Sequence, residues 1–87
     1  MRVVFTEAAW DEFQLVVQDR QLLKKVNQLI ADIQRGGYEG IGKPERLSGD
    51  LSGFWSRRID DRNRLVYRIQ DDETIEIVQC RGHYSDR

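Results

Sequence analysis

The sequence is poor in the residues that build staples, metal centres and membrane spans, with one cysteine, one histidine, one proline and one methionine among 87 residues. A lone cysteine forms no internal disulfide and no multi-cysteine zinc site, so a reducing, cytoplasmic setting is expected. A lone histidine beside it leaves no donor set for a transition metal. Uncharged stretches such as Phe13 to Gln18 run to only six residues, which predicts neither a transmembrane helix nor a signal-peptide core. An excess of one charge is missing as well. Fourteen Lys and Arg stand against fifteen Asp and Glu, and a net charge of -1 taken alone argues against a histone-like coat for nucleic acid. There is no repeat, linker or low-complexity segment, so residues 1–87 are read as a single domain, and 39% hydrophobic residues suit a packed core.

What is present is ordered by caps and breakers. Met1 to Phe5 reads as a short strand that stops at Thr6, a favoured helix N-cap followed by Glu7 in the first turn. Trp10, Phe13 and Val17 then recur at i, i+3 and i+7, which predicts an amphipathic helix with Trp10 in the core. Asp19 caps a second helix whose Leu22, Val26, Leu29, Ile30 and Ile33 share one face until Gly36-Gly37. Glycines and Pro44 crowd the next residues into a loop. Strands are predicted at Glu45 to Ser48, Phe54 to Ile59, Arg64 to Ile69 and Ile75 to Arg81, with turns at Asp60 to Asn63 and Asp71-Asp72. The order β-α-α-β-β-β-β defines an α+β domain in which a helix hairpin covers one face of a mainly antiparallel, twisted sheet. Two local points stay open. One of Phe54 and Trp55 packs under the helices while the other meets a base or a partner. Neither face of the last strand is cleanly apolar, so a bulge can reset its phase and the direction of Cys80 is undetermined.

Dividing the chain by these elements changes the meaning of its neutrality. Residues 1–42 sum to -1 and residues 69–87 to -3, whereas residues 43–68 sum to +3, with Lys43, Arg46, Arg57, Arg58, Arg62, Arg64 and Arg68. Alternation places Arg64 and Arg68 on one sheet face, opposite Leu65 and Tyr67. Arginine forks grip phosphate oxygens bidentately, although the same positions also suit ordinary solvent-facing charge.

Individual motifs divide in the same way. Gly37-Tyr38-Glu39-Gly40-Ile41-Gly42-Lys43 fits the first seven positions of the phosphate-binding P-loop, but Pro44 stands where that pattern needs a Ser or Thr. No helix begins after it, so nucleotide binding is excluded. His83 is either a surface residue near the C-terminus or a proton donor set between Arg81 and Tyr84, since imidazole's unperturbed pKa of about 6.5 suits proton transfer near neutrality. Glu45 is either a salt-bridge partner of Lys43 and Arg46 or a base that those cations keep ionised.

Gly42-Lys43-Pro44-Glu45, Leu51-Ser52-Gly53-Phe54-Trp55-Ser56-Arg57-Arg58-Ile59, Arg64-Leu65-Val66-Tyr67 and Cys80-Arg81-Gly82-His83-Tyr84 together resemble the YoeB toxins of the RelE-like superfamily. The likeness runs along essentially the whole chain. It implies a RelE-like, microbial-RNase-like fold and a ribosome-dependent endonuclease of messenger RNA. Such a protein is the toxin of a type II toxin-antitoxin pair, held inactive by a YefM-like antitoxin. It further implies no metal, no cofactor, no membrane, and homodimers with Trp55 or the helical faces as contacts. Carried over residue by residue, the resemblance makes Glu45 the general base, puts Arg64 and Arg58 on the scissile phosphate, and makes His83 the general acid oriented by Tyr84. Lys43, Arg46 and Arg57 are expected to contact RNA. These types suit the chemistry, because RNA cleavage needs a deprotonated 2′-hydroxyl, a stabilised phosphorane and a protonated leaving oxygen.

Three positions depart from the family pattern. Ser48 stands where relatives often carry lysine, and Arg46, two residues earlier on the same strand face, is expected to replace it. The chain continues past Tyr84 through Ser85-Asp86-Arg87, which puts in doubt any role for a terminal carboxylate. Asn63 stands where some relatives have histidine, which leaves His83 without a rival. The competing class is a non-enzymatic inhibitor of DNA gyrase on the same fold, like the ParE toxins, which has no need for the Glu45, Arg64 and His83 set.

Overall fold

Thr6 ends the first strand, β1 (Arg2–Phe5), and starts the first helix, α1 (Glu7–Val16), because its hydroxyl accepts the Ala9 N–H at 3.2 Å. The Asp19 carboxylate does the same for α2 (Arg20–Gly36) with the N–H groups of Gln21 and Leu22. Gly37, at φ +66°, closes α2 by returning its N–H to the Ile33 carbonyl, a left-handed backbone that costs glycine no Cβ clash. This computed structural model describes residues 1–86. Four further strands follow: β2 (Glu45–Arg46), β3 (Trp55–Arg58), β4 (Arg64–Gln70) and β5 (Thr74–Gln79).

The sheet order is β1-β5-β4-β3-β2. Strands β2 to β5 pair antiparallel through short connections, and the two-helix crossover returns β1 to the far edge, parallel to β5. β2 is shorter than its sequence predicts. Leu47 N–H still bonds the Phe54 carbonyl at 2.9 Å, but Gly49 at φ +64° turns the chain into a 3₁₀ turn at Gly49–Leu51. Both helices lie on one face, where Ala9, Val16, Val26, Leu29 and Ile33 pack against Leu65, Tyr67, Ile75 and Ile77. Among the described residues no helix is long and apolar enough to cross a membrane.

Trp10 corrects the core expected from the sequence. Its side chain is 50% exposed and Val17 is 41% exposed, because the buried line of α1 runs through Ala9 and Val16 instead. Trp10 and Val17 are each one residue, about 100° of helix, further round. Trp10 lies on the rim of the core against Phe5 and Phe13, with ring centroids at 5.6 and 5.8 Å.

The bulge left open by the sequence is present. Val66 faces Gln79 while the next residue, Tyr67, faces Ile77, so Val78 is the extra residue, and Ile75, Ile77 and Cys80 all reach the core. The strand therefore ends at Gln79, and Cys80 Sγ lies 3.5 Å from the Ala9 carbonyl. Burial, with a smaller contribution from the Glu12 charge, pushes this thiol up to about 12. Thiolate is the reactive form, so Cys80 should resist maleimide in the native protein at pH 7.5 and label only when urea unfolds the chain. Mass spectrometry of the time course checks this, and rapid native labelling would show that the site opens.

Candidate active site

The face of the sheet that the helices leave open carries the chemistry, and pairing register decides which residues reach it. Leu65 and Tyr67 of β4 are core, so Arg64, Val66 and Arg68 take the opposite face, together with Ser56 and Arg58, their partners on β3. Glu45 pairs with Ser56 and joins them. Arg58 stands directly opposite Arg64. Strands sit about 4.8 Å apart and alternate residues about 6.8 Å apart, so Glu45 lies one strand across and one step along from Arg58.

The loop before β2 is held firmly. The Gly42 carbonyl accepts the Arg58 N–H at 2.7 Å, and a Cβ on Gly42 would fall 2.8 Å from Leu29 Cδ2 and 3.2 Å from the Arg58 carbonyl oxygen. Lys43 follows at φ +51°, a left-handed conformation that is strained for a side-chain-bearing residue and restricted further by Pro44. This loop delivers Glu45 to the sheet edge beside Arg58, with exposed Lys43 next to it.

On the other side of Arg64 the C-terminal segment takes over from β5. Arg64 N–H donates to the Gly82 carbonyl at 2.9 Å, and Gly82 N–H donates to Asn63 Oδ1 at 2.8 Å. His83 and Tyr84 are thereby placed beside the head of β4, their rings 4.2 Å apart and inclined by 36°. His83 Nδ1 accepts the Ser85 N–H at 3.1 Å and contacts the Ser85 hydroxyl at 2.8 Å. In the neutral ring this arrangement leaves the proton on Nε2. Ser85, the residue after Tyr84, thus has a contact with the imidazole that the sequence did not disclose, while Arg87 lies outside the described residues.

Neither arginine of the opposed pair makes an ion pair among the described residues. Arg58 is exposed and makes no ion pair among the described residues, while Arg64 ties Nη1 to the carbonyls of Asp60 at 2.6 Å and Asn63 at 3.1 Å without meeting a carboxylate. Like charges directly opposite each other across strands are destabilising, and an anion between them relieves the repulsion. Arg68 is different: Glu76 pairs with it at 2.7 Å and Phe54 lies under its guanidinium at 5.0 Å. Burial acts to raise the Asp60 carboxyl. The N–H groups of Arg62 and Asn63 and the nearby Arg64 charge outweigh it and hold Asp60 below the ordinary aspartate range.

Two of the expected RNA contacts lie elsewhere. Arg57 shares the helix-side face with Trp55 and is fully buried. All five of its N–H donors are used, on Tyr67 Oη, Asp32 Oδ2 and the carbonyls of Ile41, Gly37 and Glu39, so none is left for a phosphate. Arg46 pairs opposite Trp55 and lies over its ring at 5.7 Å, on the face away from Glu45. Trp55 itself stacks on Tyr38 at 4.7 Å, and it is Phe54 that turns to the open face under Arg68. Among the described residues no three His, Cys, Asp or Glu side chains converge on a metal position.

The family profile of the YoeB-like toxins of bacterial type II toxin-antitoxin systems matches residues 5–84. Toxin YoeB of Streptomyces coelicolor is 53% identical over 85 residues, spanning 97% of this chain and all of its own. A YoeB/ParE toxin from Agrobacterium tumefaciens superposes with a TM-score of 0.91 at 41% identity, over 97% of this chain and 100% of its own. A chain of the heterotetrameric YoeB-YefM complex from Staphylococcus aureus gives 0.89 at 41% identity, over 97% and 98%, and that organism's YoeB has also been solved as a dimer. A two-helix cover on a five-stranded sheet, with a cationic row on its open face, is thus the build of a small toxin of the type II toxin-antitoxin class. Within that class the chain belongs to the YoeB-like toxin family.

Proposed function

We propose that the protein is a ribosome-dependent endoribonuclease that cleaves messenger RNA in the ribosomal A site. The observation that carries this reading is the order of groups across neighbouring strands: Glu45 on β2, Arg58 on β3, Arg64 on β4 and the His83 segment bonded to Arg64. The Glu45 carboxylate takes the proton of a 2′-hydroxyl, and the resulting oxygen attacks the adjacent phosphorus. Arg58 and Arg64 balance the added charge of the phosphorane. His83 protonates the departing 5′-oxygen while Tyr84 holds its ring, leaving a 2′,3′-cyclic phosphate and a 5′-hydroxyl.

Few cations face outward in this row, and affinity for RNA grows with the number of phosphates neutralised. The ribosome then supplies what the chain does not, a positioned substrate. A YefM-like antitoxin is the proposed inhibitor, covering the unpaired Arg58 and Arg64 with an acidic segment that folds on binding. The complex of the staphylococcal relative supports that partner, and its dimer supports self-association. Purified protein added to programmed ribosomes should cut the message in the A site and leave cyclic or 3′-phosphate ends. Intact transcripts beside inhibited DNA supercoiling would reverse the assignment in favour of a gyrase inhibitor.

A further inference from the structure

Glycine 82 is held at both of its backbone polar groups. Its carbonyl accepts from Arg64 N–H at 2.9 Å and its N–H donates to Asn63 Oδ1 at 2.8 Å. Its φ of +75° is one that glycine adopts without strain. The other end of the Asn63 amide donates from Nδ2 to both Asp60 carboxylate oxygens at 3.1 Å. The orientation of this amide is forced, because a flip would set its NH₂ against the Gly82 N–H and its oxygen against a carboxylate. Asp60 is fixed in turn by the N–H groups of Arg62 at 2.8 Å and Asn63 at 2.7 Å, and its own carbonyl holds Arg64 Nη1. One asparagine therefore ties the turn that anchors the Arg64 guanidinium to the backbone that carries His83.

We propose that Asn63 is a positioning residue that keeps the His83 segment in register with Arg64. The proposal rests on the endonuclease reading for its effect on rate, whereas the clamp itself is independent of that reading. A misplacement of about 1 Å between reacting groups costs roughly 100-fold in rate. Charged groups around the amide in sequence are Asp60, Asp61, Arg62, Arg64 and Arg81, and among the described residues Asp60 is the charged group bonded to it.

The test uses the full chain in two assays. Amide exchange of Gly82 is followed by NMR, and single-turnover cleavage on programmed ribosomes is followed from pH 5.5 to 7.5. Asn63→Ala should speed Gly82 exchange at least about tenfold and slow cleavage roughly 10- to 100-fold at saturating ribosomes, with half-saturation unchanged. Asn63→Asp keeps the size and the acceptor for Gly82 but loses the donor to Asp60 and sets two carboxylates together. Such a pair retains a proton more strongly, and a shared proton restores the missing bond. The Asn63→Asp deficit should therefore shrink as pH falls, a dependence that general loss of folding does not produce. If Asn63→Ala does not fold, the pH trend of Asn63→Asp carries the test. Unchanged Gly82 exchange, wild-type rates in both variants, or a deficit residing wholly in ribosome binding would overturn the proposal. Failure of the wild type to cleave would instead sink the nuclease reading, and Gly82 exchange would still report on the clamp.

Discussion

Replacing His83 with glutamine should lower single-turnover cleavage on programmed ribosomes by roughly 100- to 10,000-fold, the contribution expected of one positioned general acid. Glutamine keeps most of the size and a hydrogen-bond donor, so ribosome binding and thermal unfolding should stay near wild type. Glu45→Gln should cause a loss of similar size. The two differ in which substrate rescues them. A substrate whose departing 5′-oxygen is replaced by sulfur needs no proton donor to leave, so it should restore much of the rate to His83→Gln and little to Glu45→Gln. The double variant should be little slower than the worse single one if both groups act in one step, because residues working as a unit are far from additive. Losses shared equally between binding and rate would argue against proton transfer and for a docking role.

Both losses would have one structural origin. Glu45 is held at the sheet edge by the loop that bonds Arg58, and His83 by the backbone that bonds Arg64. On the proposed mechanism the opposed arginines between them would hold the phosphate, so base and acid would meet it from opposite sides. That arrangement suits an attacking 2′-oxygen and a departing 5′-oxygen roughly in line.

Much of the fold, and the row of arginines on its open face, is legible in the sequence. Thr6 and Asp19 announced the helix starts because caps are local chemistry, and the alternation from Arg64 to Ile69 placed Arg64 and Arg68 on the open face. Elsewhere local rules met tertiary ones. Trp10 drew the apolar stripe of α1 onto itself because a large ring outweighs a methyl group, yet Ala9 is the side chain that lets helix and sheet approach. Glu12, outside the apolar spacing of α1, accepts the Cys80 N–H at 2.9 Å, where the bulge leaves that donor in need of a partner. Arg57 was counted with the surface cations, although Trp55 and Ile59 flank it at two-residue spacing on the core side and Asp32 lies among Leu29 and Ile33 on α2. That juxtaposition was the available signal. The roles of Asn63 and Ser85 could not be read, since each depends on where the chain returns after β5.

The buried position of Arg57 sets the largest expected effect on stability. It bonds Asp32 on α2 and three carbonyls of the loop from Gly37 to Ile41, so it fastens helix, loop and sheet with one side chain. Breaking a buried charged network by removing one partner costs about 3–5 kcal/mol. Domains of this size hold roughly 4–13 kcal/mol in all. Arg57→Ala should therefore lower Tm by more than about 10 °C and leave little folded protein in moderate urea. Adding Asp32→Asn should restore only part of that loss, because the carbonyls of Gly37, Glu39 and Ile41 remain without their donor. Acid adds a second signature. The hydrogen bond from Arg57 is the leading cause that holds the Asp32 carboxyl below the ordinary aspartate range. A lowered folded-state pKa means that the contribution is fully present above the unfolded value of about 3.9 and disappears as pH falls through the folded one. Wild-type stability should thus drop below about pH 4 more steeply than that of Asp32→Asn, as read from urea midpoints at successive pH values. An Arg57→Ala protein as stable as wild type, or parallel acid profiles for wild type and Asp32→Asn, would show that this network is not what fastens the loop to the sheet.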